Sequence, residues 1–368
     1  MNDNDRLRAR CHNILPGHGK PATIAGQLRD LADSLTGEEL GDVYGAGPYL
    51  ENFEAEIASE FGKPAAVFMP SGSMAQQIAL RLWCQQTGSN GIAMHPTAHL
   101  ETAEHLGYQH LHGLHRLQFG APESNHSSLL CLAELQALVE RPGAILLEIP
   151  CRPLGGELPD WSELEAISAW ARQSGIPIHL DGARIWSCRD AYQRSFAEIG
   201  SLFDSIYVSF YKDLGGLAGC MLLGPEDFVA QSRIWQRRHG GNLFSQAPYV
   251  AAARQGIANC LPQLPAWNQR AREIAAIINA VDGLKTRPAV PRVNFFQVYL
   301  EGEVTALQEA HGQVASDTGS FVFGGFRTTA LPGVSMAEVH CWENAMAFDL
   351  NGLLPFLETM TTRADIGQ

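Results

Sequence analysis

Three short stretches of the sequence carry side chains suited to chemistry. In Met69-Pro-Ser71-Gly72-Ser73-Met74 an apolar run meets a helical pattern. Free amides at a helix start, with the Ser71 and Ser73 hydroxyls, suit a phosphate; an ordinary helix cap is the alternative. His179-Leu-Asp181-Gly-Ala-Arg184 sets a carboxylate at the C-terminal end of a predicted strand, where ligands bind in open α/β sheets. Asp181 can there hold a protonated heterocycle nitrogen and Arg184 can neutralise an acidic group, unless the two form only a structural ion pair. Ser209-Phe-Tyr-Lys212-Asp-Leu-Gly215-Gly216 runs from a strand pattern into a lone lysine and a glycine-rich turn. A lysine partly out of water gives up its proton more readily and becomes an imine-forming nucleophile; the alternative is a solvated turn lysine. In this chain order, the three are the parts of a pyridoxal-phosphate (PLP) site.

These residues need a sheet to position them. Ala65–Met69, Gly91–Met94, Ala144–Ile149, Pro177–Leu180, Ser205–Phe210 and Gly219–Leu223 read as strands, with helical periodicity between them. Leu50, Phe53, Ile57 and Phe61 share one helical face, and Trp161–Gln173 carries an apolar stripe ending near Gly175. This alternation predicts an α/β domain with a parallel sheet. Beyond about Arg254 the pattern changes to long helices over Tyr249–Cys260 and Ala266–Val281, strands over Val293–Leu300 and Met336–Trp342, a helix near Thr305–His311 and a last helix from Leu353. The expected division is an N-terminal segment 1–40, a large domain 41–260 and a small α+β domain 261–368.

The 368 residues are 45% hydrophobic, enough for a sizeable core, which excludes disordered and disulfide-stapled classes. Lys and Arg number 26 against 39 Asp and Glu, a net charge of −13 that repels nucleic acid and anionic lipid. Apolar runs are too short to span a bilayer, the start MNDNDRLRAR lacks a secretory apolar region, and the 8 cysteines show no paired spacing. A cytoplasmic protein without nucleic-acid or membrane partners is expected. His105, His110, His112 and His115 superficially resemble a metal tract, but read as a histidine-rich strand and loop with no metal.

From about Gly41 to Ala253 the sequence resembles the threonine aldolase and β-eliminating lyase family of fold-type I PLP enzymes. The resemblance rests on Gly41-Asp-Val-Tyr44-Gly45, on Phe61–Ala75, on Ala98-His99 with Glu104, on Asp181-Gly-Ala-Arg184, and on Lys212 before its glycines. It implies a mostly parallel seven-stranded sheet flanked by helices, plus a small C-terminal α+β domain. It further implies PLP bound as a Schiff base to Lys212, with His99 stacked on the ring and Asp181 on its nitrogen. The phosphate would lie on Ser71, Gly72 and Ser73, with Ser209 also binding the cofactor, and Arg184 near the substrate carboxylate or ring oxygen. It also implies a homodimer or homotetramer with interfacial sites, the Tyr44 loop reaching across, and an amino-acid substrate cleaved at a β-hydroxyl to glycine and an aldehyde.

The substrate side departs from that pattern. Cys151 stands where the family carries a histidine, Pro16-Gly-His18-Gly-Lys20 where it carries a substrate-binding serine, Met336 where it carries a carboxylate-binding arginine, and Ser245 where an arginine precedes Gln246. Replacement groups are to be sought among His18, Arg152, Arg237, Arg238 and Arg327, and a hydroxyl base among His18, His95, His99 and His105. Besides the aldolase reaction, another PLP reaction (β-elimination, racemisation or transamination) and a non-catalytic PLP-binding protein stay open.

Overall fold

Short apolar runs bounded by Gly, Pro and polar residues form the strands, as expected where both sheet faces are covered. In the computed structural model, residues 3–19, 23–119 and 131–366 are described. Seven strands make the main sheet: β1 (Ala65–Met69), β2 (Gly91–Met94), β3 (His115–Gln118), β4 (Ala144–Glu148), β5 (Ile178–Gly182), β6 (Ser205–Ser209) and β7 (Cys220–Gly224), ordered β1-β7-β6-β5-β4-β2-β3. Only β7 runs antiparallel to its neighbours. The sheet is thus mostly parallel, the architecture the family resemblance implied. Register pairs Glu148 with Asp181 and Asp181 with Tyr207, so three polar side chains form a row across the ends of β4, β5 and β6.

Helices cover the sheet through apolar stripes. In Gly72–Thr87, Ala75, Ile78, Ala79 and Trp83 join a buried cluster with Val67, Ile92, Leu146 and Leu222. Leu50, Phe53 and Ile57 of Pro48–Glu60 are buried, as is Phe61 just beyond it. The histidine-rich segment differs from expectation: His110 and His112 lie on the short helix Gly107–His112, and only His115 falls in a strand.

By their contacts, the described residues of Thr23–Pro153 and Leu158–Pro262 form one unit, and those of Met1–Ala22, Leu154–Glu157 and Gln263–Gln368 a second, so the expected segment 1–40 is shared between the two. The second unit holds an antiparallel sheet of β8 (Leu284–Arg287), β9 (Phe295–Glu301), β10 (Arg327–Thr328) and β11 (Val334–His340), ordered β10-β11-β9-β8. Its helices are Leu264–Asn279, Val304–Thr318 and Leu353–Ile366. Within it Asn13–Ile14 pairs in parallel with Ser320–Phe321. No described helix is long and apolar enough to cross a membrane.

Candidate active site

The row of polar residues at the strand ends opens into a cavity within the larger unit. Gly72, Ser73, Gln76, His99, Asp181, Arg184 and Lys212 line it, so all three motifs singled out by chemistry converge on one place. Glu104, Glu148, Pro150, Arg152, Ala183, Tyr207 and Tyr211 complete the wall.

The phosphate-suited turn starts a helix. Ser71 is extended (φ −139°, ψ 133°), and its carbonyl accepts the amide of Ala75. Gly72 is needed for space: a Cβ there would lie 2.2 Å from the Tyr207 hydroxyl oxygen, which leaves the first helical turn pressed against that phenol. Tyr207 is hydrogen-bonded to Tyr211, and burial holds its own ionisation well above the usual range. Ser71 is exposed and caps no amide with its side chain. Gln76, one turn further, is fixed from behind: its Oε1 lies 2.9 Å from His179 Nε2, and His179 Nδ1 lies 2.7 Å from Ser205 Oγ, which also accepts Trp83 Nε1–H at 2.7 Å. Burial pushes His179 down to about 3, so this chain of hydrogen bonds is neutral and structural.

Asp181 is buried, and its Oδ1 accepts the amide of Ala183 at 3.1 Å. Burial raises its pKa, against the opposing pull of Lys212. Lys212 is lowered by burial first, while Asp181 pulls the other way and Arg184 reinforces the lowering. An amine more readily deprotonated than an ordinary lysine therefore faces a carboxylate needing a cation. The turn carrying Lys212 closes tightly: the Gly216 amide donates to the Phe210 carbonyl at 2.9 Å, and a Cβ on Gly216 would lie 2.7 Å from that oxygen. Arg184 Nη1 donates to Asp213 Oδ1 at 3.1 Å, and Asp213 is fully buried, so the guanidinium is held in place.

His99 begins a short helix and reaches Glu104, its Nδ1 lying 2.9 Å from Oε1. Gln77 Nε2 donates to the other oxygen of Glu104 at 3.1 Å. The hydrogen bond to Glu104 raises the pKa of His99, with burial opposing it. Sequence reasoning quoted Glu104 only as part of a motif; its function is to fix the histidine tautomer and ring plane.

Other expected residues lie elsewhere. Ser209 is buried, and its hydroxyl donates to the Ala183 carbonyl at 2.7 Å, bracing the loop after β5. Cys151 is buried with its Sγ 4.0 Å from Thr97 Oγ1, while its neighbours Pro150 and Arg152 line the cavity instead. Tyr44 is exposed at φ +52°, edge-on to Phe244. The motif around it serves a cap: Asp42 Oδ1 accepts the amides of Gln246 and Ala247 at the start of Ala247–Cys260 and the Ser245 hydroxyl. His18 belongs to the smaller unit, stacked on Trp342 and 2.7 Å from Glu343, and Lys20 lies outside the described residues. Of the alternative groups, Arg152 lines the cavity, Arg238 lies over Trp235 and Arg327 is exposed on β10. Among the base candidates His95 lies 2.6 Å from the Thr97 hydroxyl.

Glu148 carries no site role in the sequence analysis, although it opens the stretch in which Cys151 replaces the family histidine. Its Oε1 accepts the amide of Arg152 at 3.1 Å, and its Oε2, shut off from water, has no hydrogen-bond partner among the described residues.

The sequence matches the family model of beta-eliminating lyases over residues 23–301. A curated relative, low-specificity L-threonine aldolase 1 of Arabidopsis thaliana, is 23% identical over 88% of this chain and 94% of its own length. A solved structure from Listeria monocytogenes, assigned as an L-allo-threonine aldolase, is 34% identical with a TM-score of 0.90, covering 98% of this chain and 99% of the other. One from Exiguobacterium, assigned as an aromatic amino acid beta-eliminating lyase/threonine aldolase, is 35% identical with a TM-score of 0.91, covering 98% and 100%. This chain, with its carboxylate, lysine and helix start converging at the strand ends, belongs to the beta-eliminating lyase family.

Proposed function

We propose that this protein is a PLP-dependent lyase that cleaves a β-hydroxy-α-amino acid to glycine and an aldehyde. The observation that carries the reading is Lys212 facing Asp181 in one cavity at the strand ends, beside a helix start narrowed by Gly72. Threonine-aldolase names on relatives that align over nearly their full length support the reaction class.

The residues fit the cofactor. Asp181, buried with one oxygen bound to Ala183 N, is a counter-charge for a protonated ring nitrogen. The amides and Ser73 hydroxyl at the start of Gly72–Thr87 suit its phosphate, helped by the positive end of the helix. When bound, PLP supplies a ring that accepts the electrons released at the amino-bearing carbon. Lys212, with its proton weakly held, is the amine that would hold the cofactor through its aldehyde, and it is placed to carry protons near the reacting centre. His99, held by Glu104, would lie over the cofactor ring and is a candidate to take the hydroxyl proton. Arg184, fixed by Asp213, and Arg152 are the cations available for a substrate carboxylate. The buried thiol of Cys151 takes no part in this reading. A homodimer or homotetramer in the cytoplasm, with an amino acid as small-molecule partner, completes it.

The test is aldehyde release from L-threonine, L-allo-threonine and phenylserine by the purified PLP-loaded protein, with glycine as co-product. If none is cleaved while PLP stays bound, the aldolase reading falls.

A further inference from the structure

Glu148 is the buried acid that the cofactor and lysine chemistry leaves unused. It sits at the end of β4, in register with Asp181 on β5, and both side chains line the cavity. Two carboxylates at neighbouring strand ends, both withdrawn from water, cannot both carry charge cheaply. The groups around them decide which one does. Asp181 takes the Ala183 amide and faces Lys212, whereas Glu148 has one backbone amide, from Arg152, and the charge of Asp181 works against its ionisation. Lys212 and His99 favour the charged form of both, and Arg184 Nη1 donates to Asp213. Asp181 therefore keeps the charge and Glu148 the proton.

A proton on Glu148 has one place to sit. Oε1 is an acceptor for Arg152 N, so the hydroxyl is Oε2, the atom with no partner among the described residues. A buried donor left unmade costs roughly 1–3 kcal/mol, so the site is built for an acceptor that arrives with its ligand. We propose that Glu148 is a neutral carboxylic acid that donates a hydrogen bond through Oε2 to an anionic oxygen of the molecule bound in this cavity. This inference rests on the reading of the cavity as a PLP site. Two sources supply that chemistry: the cofactor through its ring oxygen, and the substrate through its carboxylate or developing alkoxide.

The test compares Glu148→Gln, whose amide donates from the same position, with Glu148→Ala, which donates nothing. Each is titrated with PLP by visible absorbance, the band is followed against pH without substrate, and KM and kcat are measured with the amino acid that the wild type cleaves. Glu148→Ala is expected to lose about 10–100-fold in one measurement, as for a hydrogen bond to a charged group. Glu148→Gln is expected to rescue that loss to within about threefold. Weaker PLP binding and a displaced pH midpoint assign the acceptor to the cofactor; unchanged cofactor titrations with a raised KM or lowered kcat assign it to the substrate. Infrared spectra add a readout independent of whether the alanine variant folds: a protonated-carboxyl C=O stretch present in wild type and missing from Glu148→Gln. The inference is overturned if that stretch is absent, if Glu148→Gln is as damaged as Glu148→Ala, or if neither differs from wild type. Failure of the wild type to bind PLP overturns the functional reading itself, a separate result.

Discussion

At the ends of β5 and β6 the charged groups have partners in place: Asp181 takes an amide and faces Lys212, and Arg184 is locked to Asp213. One strand away, at the end of β4, Glu148 keeps an oxygen bonded to nothing described and Arg152 turns its side chain to the same space. The first wall is complete before anything binds. The second has a carboxyl oxygen, Glu148 Oε2, with no bond among the described residues until a ligand supplies one. The difference teaches where selection among substrates acts: prepaired groups hold whatever shares the common cofactor, and waiting groups discriminate by what each ligand brings.

The prepaired wall is broken most severely at the lysine. Lys212→Ala is expected to abolish the visible PLP band and reduce turnover by roughly 10⁴-fold or more, read by absorbance and steady-state kinetics. In the wild type, burial lowers the lysine, so its amine form persists to lower pH; PLP capture is expected to rise with pH and level off below the ~10.4 of an ordinary lysine. Asp181→Asn, which keeps shape and removes charge, should cost on the order of 10²–10³-fold in kcat with a shifted PLP spectrum. Gly72→Ala forces a methyl group onto the Tyr207 hydroxyl and should weaken PLP binding by about tenfold. Adding Tyr207→Phe should restore part of it, because the ring carbon at 2.7 Å remains after the oxygen is gone.

The histidine sharpens the comparison with a smaller effect. Glu104 raises His99, so the charged imidazole outlasts the pH at which a free histidine loses its proton. Glu104→Gln should move that titration to lower pH, visible in the proton NMR of the ring, with a few-fold change in kcat. The linked stability has the same sign: present below the unfolded value near ~6.5 and lost as pH rises through the higher folded value. Ser205→Ala leaves Trp83 and His179 each short of a partner and should cost about 1–3 kcal/mol in chemical denaturation, with little direct effect on chemistry.

Much of this fold is legible in residue pattern because a sheet buried on both faces writes its strands as uninterrupted apolar runs such as Ala-Ala-Val-Phe-Met. The edge strand β3 is not, since His-Arg-Leu-Gln is half exposed and has no such run. Helix Trp161–Gln173 has the ends its stripe and Gly175 predict. Lys212 and Asp181 stand out because charge at the end of an apolar run is conspicuous. The Ser209 hydroxyl donates to the Ala183 carbonyl, a tertiary bond that no local pattern records. Gln76, His179 and Ser205 come from three separate elements, and Glu148 gains its meaning only from a neighbouring strand in register.

The one antiparallel strand has a consequence for how the molecule is made. The edge strand β1, which delivers the phosphate-suited turn, has β7 as its sole neighbour among the described residues, with Ala65 opposite Gly224. Pairing of β1 into the sheet therefore waits until the chain has been made through Gly224. Nascent chains ending short of Cys220 carry every motif of the site up to Lys212 while β1 still lacks the strand it pairs with.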